Sequence, residues 1–473
     1  MPLAIELAAA RAKALAPAQI LERLSQRLDL LKGGRDADPR QRTLRSTIEW
    51  SHELLDPEEQ RLFARLAVFA GGCTLESAEQ LVDADVDTLG SLVEKSLVRR
   101  TDDRYWMYET IREFALDRLV ASGESDEVRG RHAEYFLELA EEAEPHLRQE
   151  EDSWLDGLEA ELDNVRLALG HFEASGEYPL VLRLCAAFWW VWSLRGPLKE
   201  GLDRIARALQ HDPRPTIARA NALTGASDLA GDAGDDAASR AWGEEALALH
   251  RALRNDWGVA YVQIGLGLLF VLEDRFAEAK PLLEESARGF RELGDEHWEM
   301  QVNPRLAWVY ESLGDVPRAR EIHQENLRRA RERGETFIEA KSLAVLAQYD
   351  LDEGRVEPAI PLLAEAHRIE RGRKGIVNRY WTLILVCRFA RALALKGEVA
   401  ATIRLLSCAD AGFEELEIGE GNAERWVVLM NDQTREMVSS SIDDEEAAAA
   451  TEDGRKLTVD QAVTLALDSL RST

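Results

Sequence analysis

Residues that could perform catalysis or bind a metal are scattered along this chain. Nine histidines occur, but none has the spacing of a metal-binding helix, and His132, His146 and His171 are too far apart to share one helical face. The four cysteines include no CxxC pair, and no Gly-x-Ser-x-Gly segment is present. We therefore predict no catalytic residue, no metal site and no cofactor, and we expect a protein that is not an enzyme.

A set of basic, polar and aromatic side chains instead suggests that the chain binds a partner. The set consists of Arg305, Trp308, Gln348, Arg388 and Arg391, which occupy corresponding positions of an internal repeat. Inside a protein with a formal net charge of −29, such a face could receive an acidic peptide. Pairing of these arginines with neighbouring acidic residues is the alternative that the sequence leaves open.

The repeat is visible as five short turns that read alike. Their first residues are Gly234, Asp274, Gly314, Gly354 and Gly397, spaced 40, 40, 40 and 43 residues apart. A small residue follows each turn by five positions and another precedes it by seven, which lets two helices approach closely. We expect helix pairs that stack into a superhelix. The pattern resembles the tetratricopeptide repeat, whose period is about 34 residues, and longer helices or loops would account for the excess.

An earlier copy of the repeat is predicted around Gly196. It would place Gly201 at the small position and Trp189 and Trp192 upstream of the turn. The aromatic run at residues 188–192 could form an exposed contact site, but the repeat register assigns it to the interface of a helix pair. We therefore expect these side chains in the core.

The N-terminal part of the chain has a different pattern. Residues 56–96 contain three short helical segments, the first opened by a capping signal, and residues 97–108 read as strand, turn and strand. Three helices followed by a hairpin is the winged-helix pattern. Its third helix, which reads bases in many DNA-binding proteins, offers one lysine and no arginine, whereas Arg99, Arg100 and Arg104 lie on the wing.

Two segments resemble a known family. Residues 1–11 are similar to the Gly-Leu-Pro-Leu segment of signal-transduction ATPases of the NB-ARC or STAND class, and residues 107–115 resemble that class's Met-His-Asp motif and the helix after it. Bacterial regulators of this class, often described as predicted ATPases or LuxR-type regulators, continue with a winged helix and a tetratricopeptide sensor. The resemblance implies that Met107, Tyr108 and Glu109 stand where the family senses a bound nucleotide.

The chain departs from this family in the residues that handle nucleotide. No Gly-x-x-x-x-Gly-Lys-Ser/Thr loop occurs to cradle phosphates, and Tyr108 replaces the histidine of the motif, so we expect the degenerate motif to be inactive. The family's phosphate-binding loop precedes the Gly-Leu-Pro-Leu segment, in which this chain begins. We therefore expect a truncated or partial chain that lacks the ATPase core.

Composition narrows the possible partners and the location. An acidic chain repels a phosphate backbone, so we do not expect a nucleic-acid binder of the usual basic kind. No apolar run reaches the ~18 residues of a membrane span, which predicts no membrane association. The dispersed cysteines suit a reducing compartment, which predicts a cytoplasmic protein.

Together these patterns predict an all-α protein with a small winged-helix domain, containing one β-hairpin, followed by a tetratricopeptide-like α-α superhelix. We expect residues 1–38 to be a remnant of the helical NB-ARC subdomain and residues 39–122 to be the winged helix. Residues 123–411 would form the repeats, and residues 412–473 capping helices and an acidic tail. In that tail the acidic run at residues 443–446 is expected to be a loop.

The function predicted from these parts is that of the non-catalytic sensor and regulatory portion of a bacterial signal-transduction ATPase-type regulator. It would bind a protein, a peptide or a small inducer in the groove of its helical repeats. The alternative is a DNA-binding transcriptional regulator that acts through the winged helix. An apolar face formed by Leu3, Ile5 and Leu7 also predicts possible self-association.

Overall fold

The computed structural model of the chain describes residues 44–149, 152–371, 376–416 and 425–472. Within these ranges the chain forms 23 helices and a small sheet of three strands, which confirms the predicted fold class. The chain separates into two compact units, the first ending at Arg254 and the second beginning at Asn255. The predictions for residues 1–38, including the apolar face and self-association, lie outside the described residues.

The winged helix opens the first unit. Its elements are α1 (Leu44–Glu53), α2 (Pro57–Leu66), β1 (Cys73–Thr74), α3 (Leu75–Val82), α4 (Val86–Glu94), β2 (Arg99–Thr101), β3 (Arg104–Trp106) and α5 (Glu109–Ser122). The wing hairpin β2–β3 lies where the sequence predicts it. The sequence analysis missed β1, whose residues Cys73 and Thr74 pair antiparallel with Tyr105 and Arg104 of β3. A strand of two residues leaves no alternation to detect.

The start of α2 follows from its capping residues. The Asp56 carboxylate accepts hydrogen bonds from the backbone N–H groups of Glu58 and Glu59, at 2.9 and 3.0 Å. The Glu59 side chain in turn accepts from the Asp56 N–H at 2.9 Å, which completes a capping box. Both ends of this reciprocal pair satisfy N–H groups that a helix start leaves without partners.

Seven further helices complete the first unit. They are α6 (Ser125–Leu147), α7 (Asp152–Ala160), α8 (Leu162–Ala174), α9 (Tyr178–Leu194), α10 (Leu198–His211), α11 (Ile217–Asp232) and α12 (Asp236–Leu253). The aromatic run in α9 lies in the core, as predicted, since all of residues 188–192 are buried. Trp192 packs against Gly201 of α10, and Trp189 packs against Gly225 of α11.

The second unit consists of helix pairs and three terminal helices. They are α13 (Asp256–Leu272), α14 (Phe276–Leu293), α15 (Glu296–Ser312), α16 (Val316–Arg333), α17 (Thr336–Asp352), α18 (Val356–Glu370), α19 (Ile376–Leu395), α20 (Val399–Glu415), α21 (Arg425–Ser439), α22 (Asp444–Arg455) and α23 (Val459–Ser472). Helices of 17 and 18 residues alternate from α13 to α16 and account for the period of 40. The excess over a tetratricopeptide repeat therefore lies in longer helices.

The C-terminal helices correct one prediction. The acidic run at residues 443–446 is not a loop, because Asp443 caps α22 by accepting from the Glu446 N–H at 2.9 Å. Acidic side chains in a first helical turn are favourable beside the positive end of the helix dipole. The predicted capping box of the last helix is confirmed, since Thr458 and Gln461 exchange hydrogen bonds at 2.9 and 3.3 Å.

Among the described helices, each is too short or too polar to cross a lipid bilayer. The helices are instead held together by the close packing of large side chains against small ones. This packing gives a direct test of the fold.

We predict that Gly225→Ala lowers the free energy of unfolding by about 1–3 kcal/mol, as overpacked cores do. The added Cβ would lie 2.5 Å from Cγ of Trp189, a ring that the core holds in place. The control is Gly170→Ala in α8, where nothing lies within 4 Å of the added Cβ. There the higher helix propensity of alanine should stabilise the chain by up to about 1 kcal/mol. Urea denaturation followed by circular dichroism measures both, and equal effects would contradict the close approach.

Candidate functional site

The five residues predicted to bind a partner lie on the first helices of three successive pairs. Arg305 and Trp308 belong to α15, Gln348 to α17, and Arg388 and Arg391 to α19. Four of these side chains are half-buried, whereas Arg388 is only 3% exposed. This pattern fits one partly accessible face across α15, α17 and α19.

Two carboxylates that the sequence analysis did not select lie on the same face. Gln348 donates from Nε2 to Oδ1 of Asp352 at 2.8 Å, one turn further along α17. The Tyr349 hydroxyl donates to Oε2 of Glu311 on α15 at 3.0 Å, which links the two helices. Since Gln348 and Asp352 are four residues apart, the helical spacing could have revealed this pair.

We call Glu311, Gln348, Asp352, Arg388 and Arg391 the polar recess. Surrounding protein disfavours the charged forms of both acids and raises the pKa of Glu311 and of Asp352, although solvent still reaches the two side chains. The positive charges of Arg391 and Arg388 act in the opposite direction on Asp352. The two carboxyl groups are therefore in contact with solvent and partly surrounded by protein.

The cations on this face have local interactions within the second unit. Arg305 donates from Nη1 to the Gln301 carbonyl oxygen at 2.7 Å, inside its own helix. Arg391 donates from Nη1 to Sδ of Met437 on α21 at 2.8 Å. These contacts orient the two guanidinium groups on this face.

The third helix of the winged helix, α4, exposes acidic and small side chains. Val86, Asp87, Gly90 and Glu94 face solvent. Its neighbouring cation, Lys95, forms an ion pair with the buried carboxylate of Glu59 on α2, and Ser91 donates to the same carboxylate at 2.5 Å. The hydrogen bonds from Lys95 and Ser91 lower the pKa of Glu59 to about 2. The lysine charge is therefore compensated, and α4 presents a negative surface.

The wing carries two exposed arginines. Arg99 and Arg100 are exposed, with guanidinium carbons 5.8 and 5.5 Å from the ring centroids of Tyr108 and Tyr105. Arg104 differs, because it forms an ion pair with Glu161, the residue that directly precedes α8, and donates to the Gly72 carbonyl oxygen at 3.1 Å. Arg104 therefore anchors the wing and is not available to a phosphate group.

The predicted nucleotide-sensing residues lie at the base of the wing. Tyr108 directly precedes α5, and its ring contacts Trp106 edge-on at a centroid distance of 5.1 Å. Met107 lines a shallow apolar cavity together with Trp106, and Glu109 is the exposed first residue of α5. That these three residues correspond to a nucleotide-sensing motif, now inactive, remains a prediction.

The cysteines have the properties of core residues. All four are buried free thiols, and burial raises the pKa of Cys73, Cys185 and Cys387 to about 12 and that of Cys408 to about 11. Thiols with such pKa values stay protonated at neutral pH and are poor nucleophiles. In the described part of the chain, no three metal-ligating side chains come together.

Comparisons with known proteins agree with this combination of parts. Residues 55–120 match the winged helix-turn-helix domain family. The chain is 39% identical over 215 residues to the candidate HTH-type transcriptional regulator Rv0890c of Mycobacterium tuberculosis, an alignment that covers 43% of this chain and 24% of that protein. It is 26% identical over 379 residues to the regulatory protein AfsR of Streptomyces coelicolor, which covers 71% of this chain and 37% of that protein. The chain thus spans about a quarter of the length of the first of these relatives.

A solved structure has a similar fold. The STAND protein PH0952 of Pyrococcus horikoshii, which has a tetratricopeptide repeat sensor, superposes with a TM-score of 0.50 at 16% identity, over 95% of this chain and 71% of that one. At this identity the likeness concerns the fold alone. The chain therefore combines a winged helix with tetratricopeptide-like helix pairs, and its relatives are named as regulators.

Buried histidines give this protein a predictable response to acid. His250 is fully buried, with Nε2 3.0 Å from Oγ1 of Thr224, and burial, followed by the charge of Arg148, lowers its pKa from 6.5 to about 4. The unfolded chain therefore binds the proton at a higher pH than the folded chain does. The contribution of His250 to stability is complete above about pH 6.5 and is lost as the pH falls toward about 4.

We predict that His250→Gln removes about 2 kcal/mol of the stability loss between about pH 7 and about pH 5. Urea denaturation at several pH values measures the slope, which matters here more than absolute stability. His211→Gln, at an exposed histidine of the same unit, is the control and should leave the slope unchanged. If both variants keep the slope of the original chain, the buried imidazole is not responsible.

Proposed function

We propose that this chain is the sensor and regulatory portion of a bacterial transcriptional regulator of the signal-transduction ATPase type. In this proposal, the face formed by α15, α17 and α19 binds a peptide, a protein segment or a small inducer that carries negative charge. The winged helix is then the part whose interactions respond to the ligand. The observation that carries the proposal is the polar recess, where Gln348 donates to Asp352 and Tyr349 to Glu311 on the accessible helix face that also carries Arg391.

The chemistry of the recess supports a peptide-like ligand. Arg391, which is half-buried, would bind a carboxylate, and charge-assisted hydrogen bonds of this kind are among the stronger polar interactions. Glu311 and Asp352 are acceptors and would receive the amide N–H groups of an extended chain. Trp308 is half-buried on the same face and offers apolar area for a neighbouring side chain.

We predict that acidic peptides bind this face and basic peptides do not. The probes are fluorescein-labelled pools of hexapeptides that carry Asp and Glu, or Lys and Arg, at the same positions, and anisotropy at ~150 mM salt measures binding. Arg391→Gln should weaken binding of the acidic pool about 10- to 100-fold, because a hydrogen bond to a charged group is lost.

The control for this experiment is Arg368→Gln, at an exposed arginine of α18 on the second helix of its pair. It removes the same charge from the same unit and should leave binding unchanged. Equal binding of the acidic and basic pools, or equal losses in the two variants, would contradict a ligand site at the recess.

A second candidate function is DNA binding through the winged helix. The match of residues 55–120 to the winged helix-turn-helix family and the name of the Mycobacterium relative favour it. The exposed Arg99 and Arg100 of the wing supply positive charge for such contact, whereas Lys95 is paired with Glu59 and Arg104 with Glu161. DNA contact would then fall on the wing rather than on α4.

We predict that Arg99→Gln combined with Arg100→Gln abolishes any DNA binding at ~150 mM salt, because each arginine can neutralise one phosphate group. A gel shift with a pool of random 30-base-pair duplexes measures it. The control variant combines Arg61→Gln with Arg129→Gln, at two exposed arginines outside the wing, and should keep the gel shift. A gel shift that survives the loss of both wing arginines excludes DNA binding through the wing. If the original chain gives no gel shift, ligand binding remains the proposed function.

A further inference from the structure

A buried polar network joins the winged helix to the helices that follow it. The loop between α2 and β1 is held by Asn164 of α8, whose Oδ1 accepts from the Ala70 N–H at 2.8 Å. The Asn164 Nδ2 donates to the Gly72 carbonyl oxygen at 3.0 Å. These two bonds connect residues 94 and 92 positions apart in the sequence. One carboxamide therefore holds both sides of a tight turn.

Three further side chains complete this network. The Asn164 Nδ2 also donates to Oε2 of Glu161 at 2.6 Å, and Glu161 forms the ion pair with Arg104 of the wing strand β3. Nε2 of His132 on α6 lies 3.3 Å from the Asn164 Oδ1. Because an amide oxygen only accepts, this nitrogen is the donor. We call Asn164, Glu161, Arg104 and His132 the Asn164 clamp.

The clamp uses the full hydrogen-bonding capacity of Asn164. Its oxygen accepts two hydrogen bonds and its nitrogen donates two, while the side chain is completely buried. Such a group is costly to bury unless every partner stays in place, because an unmade bond in the interior leaves a desolvated polar atom. The loop, the wing strand and α8 therefore hold one another in a single arrangement.

The turn that Asn164 holds has little freedom of its own. Gly72 adopts φ +91°, and a Cβ there would lie 2.5 Å from the Tyr105 carbonyl oxygen of β3. Arg112 of α5 donates to the Phe69 carbonyl oxygen at 2.9 Å. On the other side, Arg166 of α8 forms an ion pair with Glu200 of α10. A continuous set of polar contacts thus runs from the wing through α8 to α10.

We propose that Asn164 is the positioning residue that makes the winged helix, α6 and α8 one rigid body. The role of this rigid body in regulation rests on the proposed function. A change in the helix pairs would move α8, and the rigid body would pass that movement to Arg99 and Arg100 of the wing. The clamp itself involves no ligand. If the chain binds no ligand, the exchange experiment below still tests the clamp. If the exchange experiment contradicts the clamp, the proposal of ligand binding still stands.

Hydrogen exchange followed by mass spectrometry on the full chain tests the clamp. Asn164→Asp replaces the donating amide by a carboxylate, which faces the Gly72 carbonyl oxygen and the Glu161 carboxylate with acceptors only. Near pH 8 we expect protection factors in residues 69–75 and 99–107 to fall about 10- to 100-fold. Asp203→Asn, the reverse exchange at an exposed residue of α10, is the control and should leave them unchanged. Unchanged protection in Asn164→Asp overturns the proposal.

A pH series separates positioning from a structural defect. In Asn164→Asp the introduced carboxyl group and Glu161 would share a proton, because two carboxylates so close together cannot both ionise. The protonated carboxyl group donates one hydrogen bond where the amide donates two, so protection should recover in part between about pH 8 and about pH 5.5. A loss that does not recover would show a packing defect and overturn the positioning role.

The other groups around the clamp do not titrate in this range. The arginines stay charged, and the pKa values of Cys73 and Tyr135 are raised to about 12. The pKa of His132 is about 4 beside the neutral Asn164, and the introduced carboxylate would raise it. His171, whose charge acts on His132, is replaced by Gln in all variants of the series. The recovery can therefore be assigned to protons bound within the clamp, by the introduced carboxyl group, Glu161 or His132.

A second variant covers the case in which Asn164→Asp does not fold. Glu161→Gln keeps an acceptor for the Asn164 amide and removes the charge that pairs with Arg104. We expect protection to fall at least tenfold in residues 99–107, while Asp203→Asn again leaves it unchanged. Wing protection equal to that of the original chain in Glu161→Gln would overturn the proposal.

Discussion

The helix pairs of this protein depend on close contacts between a large side chain on one helix and a glycine on the next. In the first unit the rings of Trp189 and Trp192 lie where a Cβ on Gly225 or Gly201 would have to be. In the second unit Leu283 and Leu383 occupy the corresponding space beside Gly267 and Gly412. Since these contacts fix the distance between neighbouring helices, they also determine which faces remain for other interactions. The polar recess lies on such a remaining face.

The sequence predicted the periodic part of this architecture because its signals are local. Gly314 and Gly354 have φ values of +88° and +73°, the left-handed conformation in which glycine costs least. Asp274 adopts the same conformation with φ +57°, and the period alone identifies it as a turn. The turn at Arg254, with φ +55°, was missed because an arginine gives no turn signal. Gly294, which ends α14 in the same left-handed conformation, lies one repeat of 40 residues further on, and only this spacing identifies Arg254 as a turn.

The site was predicted only in part, for a physical reason. Periodicity places Gln348, Arg388 and Arg391 on one face, but the pKa shift of Asp352 arises from the protein around it, which no local pattern records. The Asn164 clamp is even harder to predict from the sequence, because the backbone partners of Asn164 lie 92 and 94 positions away along the chain. A single asparagine inside an amphipathic helix reads as an ordinary polar residue. Interactions that depend on tertiary burial therefore appear only in the structure.

The charge arrangement of the winged helix gives the clamp its importance for either function. The surface of α4 is negative, because Glu59 compensates Lys95 and Asp87 and Glu94 face solvent. The wing hairpin, with Arg99 and Arg100, therefore presents positive charge that α4 does not. Two arginines can release only about two counterions from a nucleic acid, which gives weak binding unless both are presented together. The orientation of the hairpin therefore decides what the domain can bind, and that orientation is set by contacts on α8 rather than by the hairpin itself.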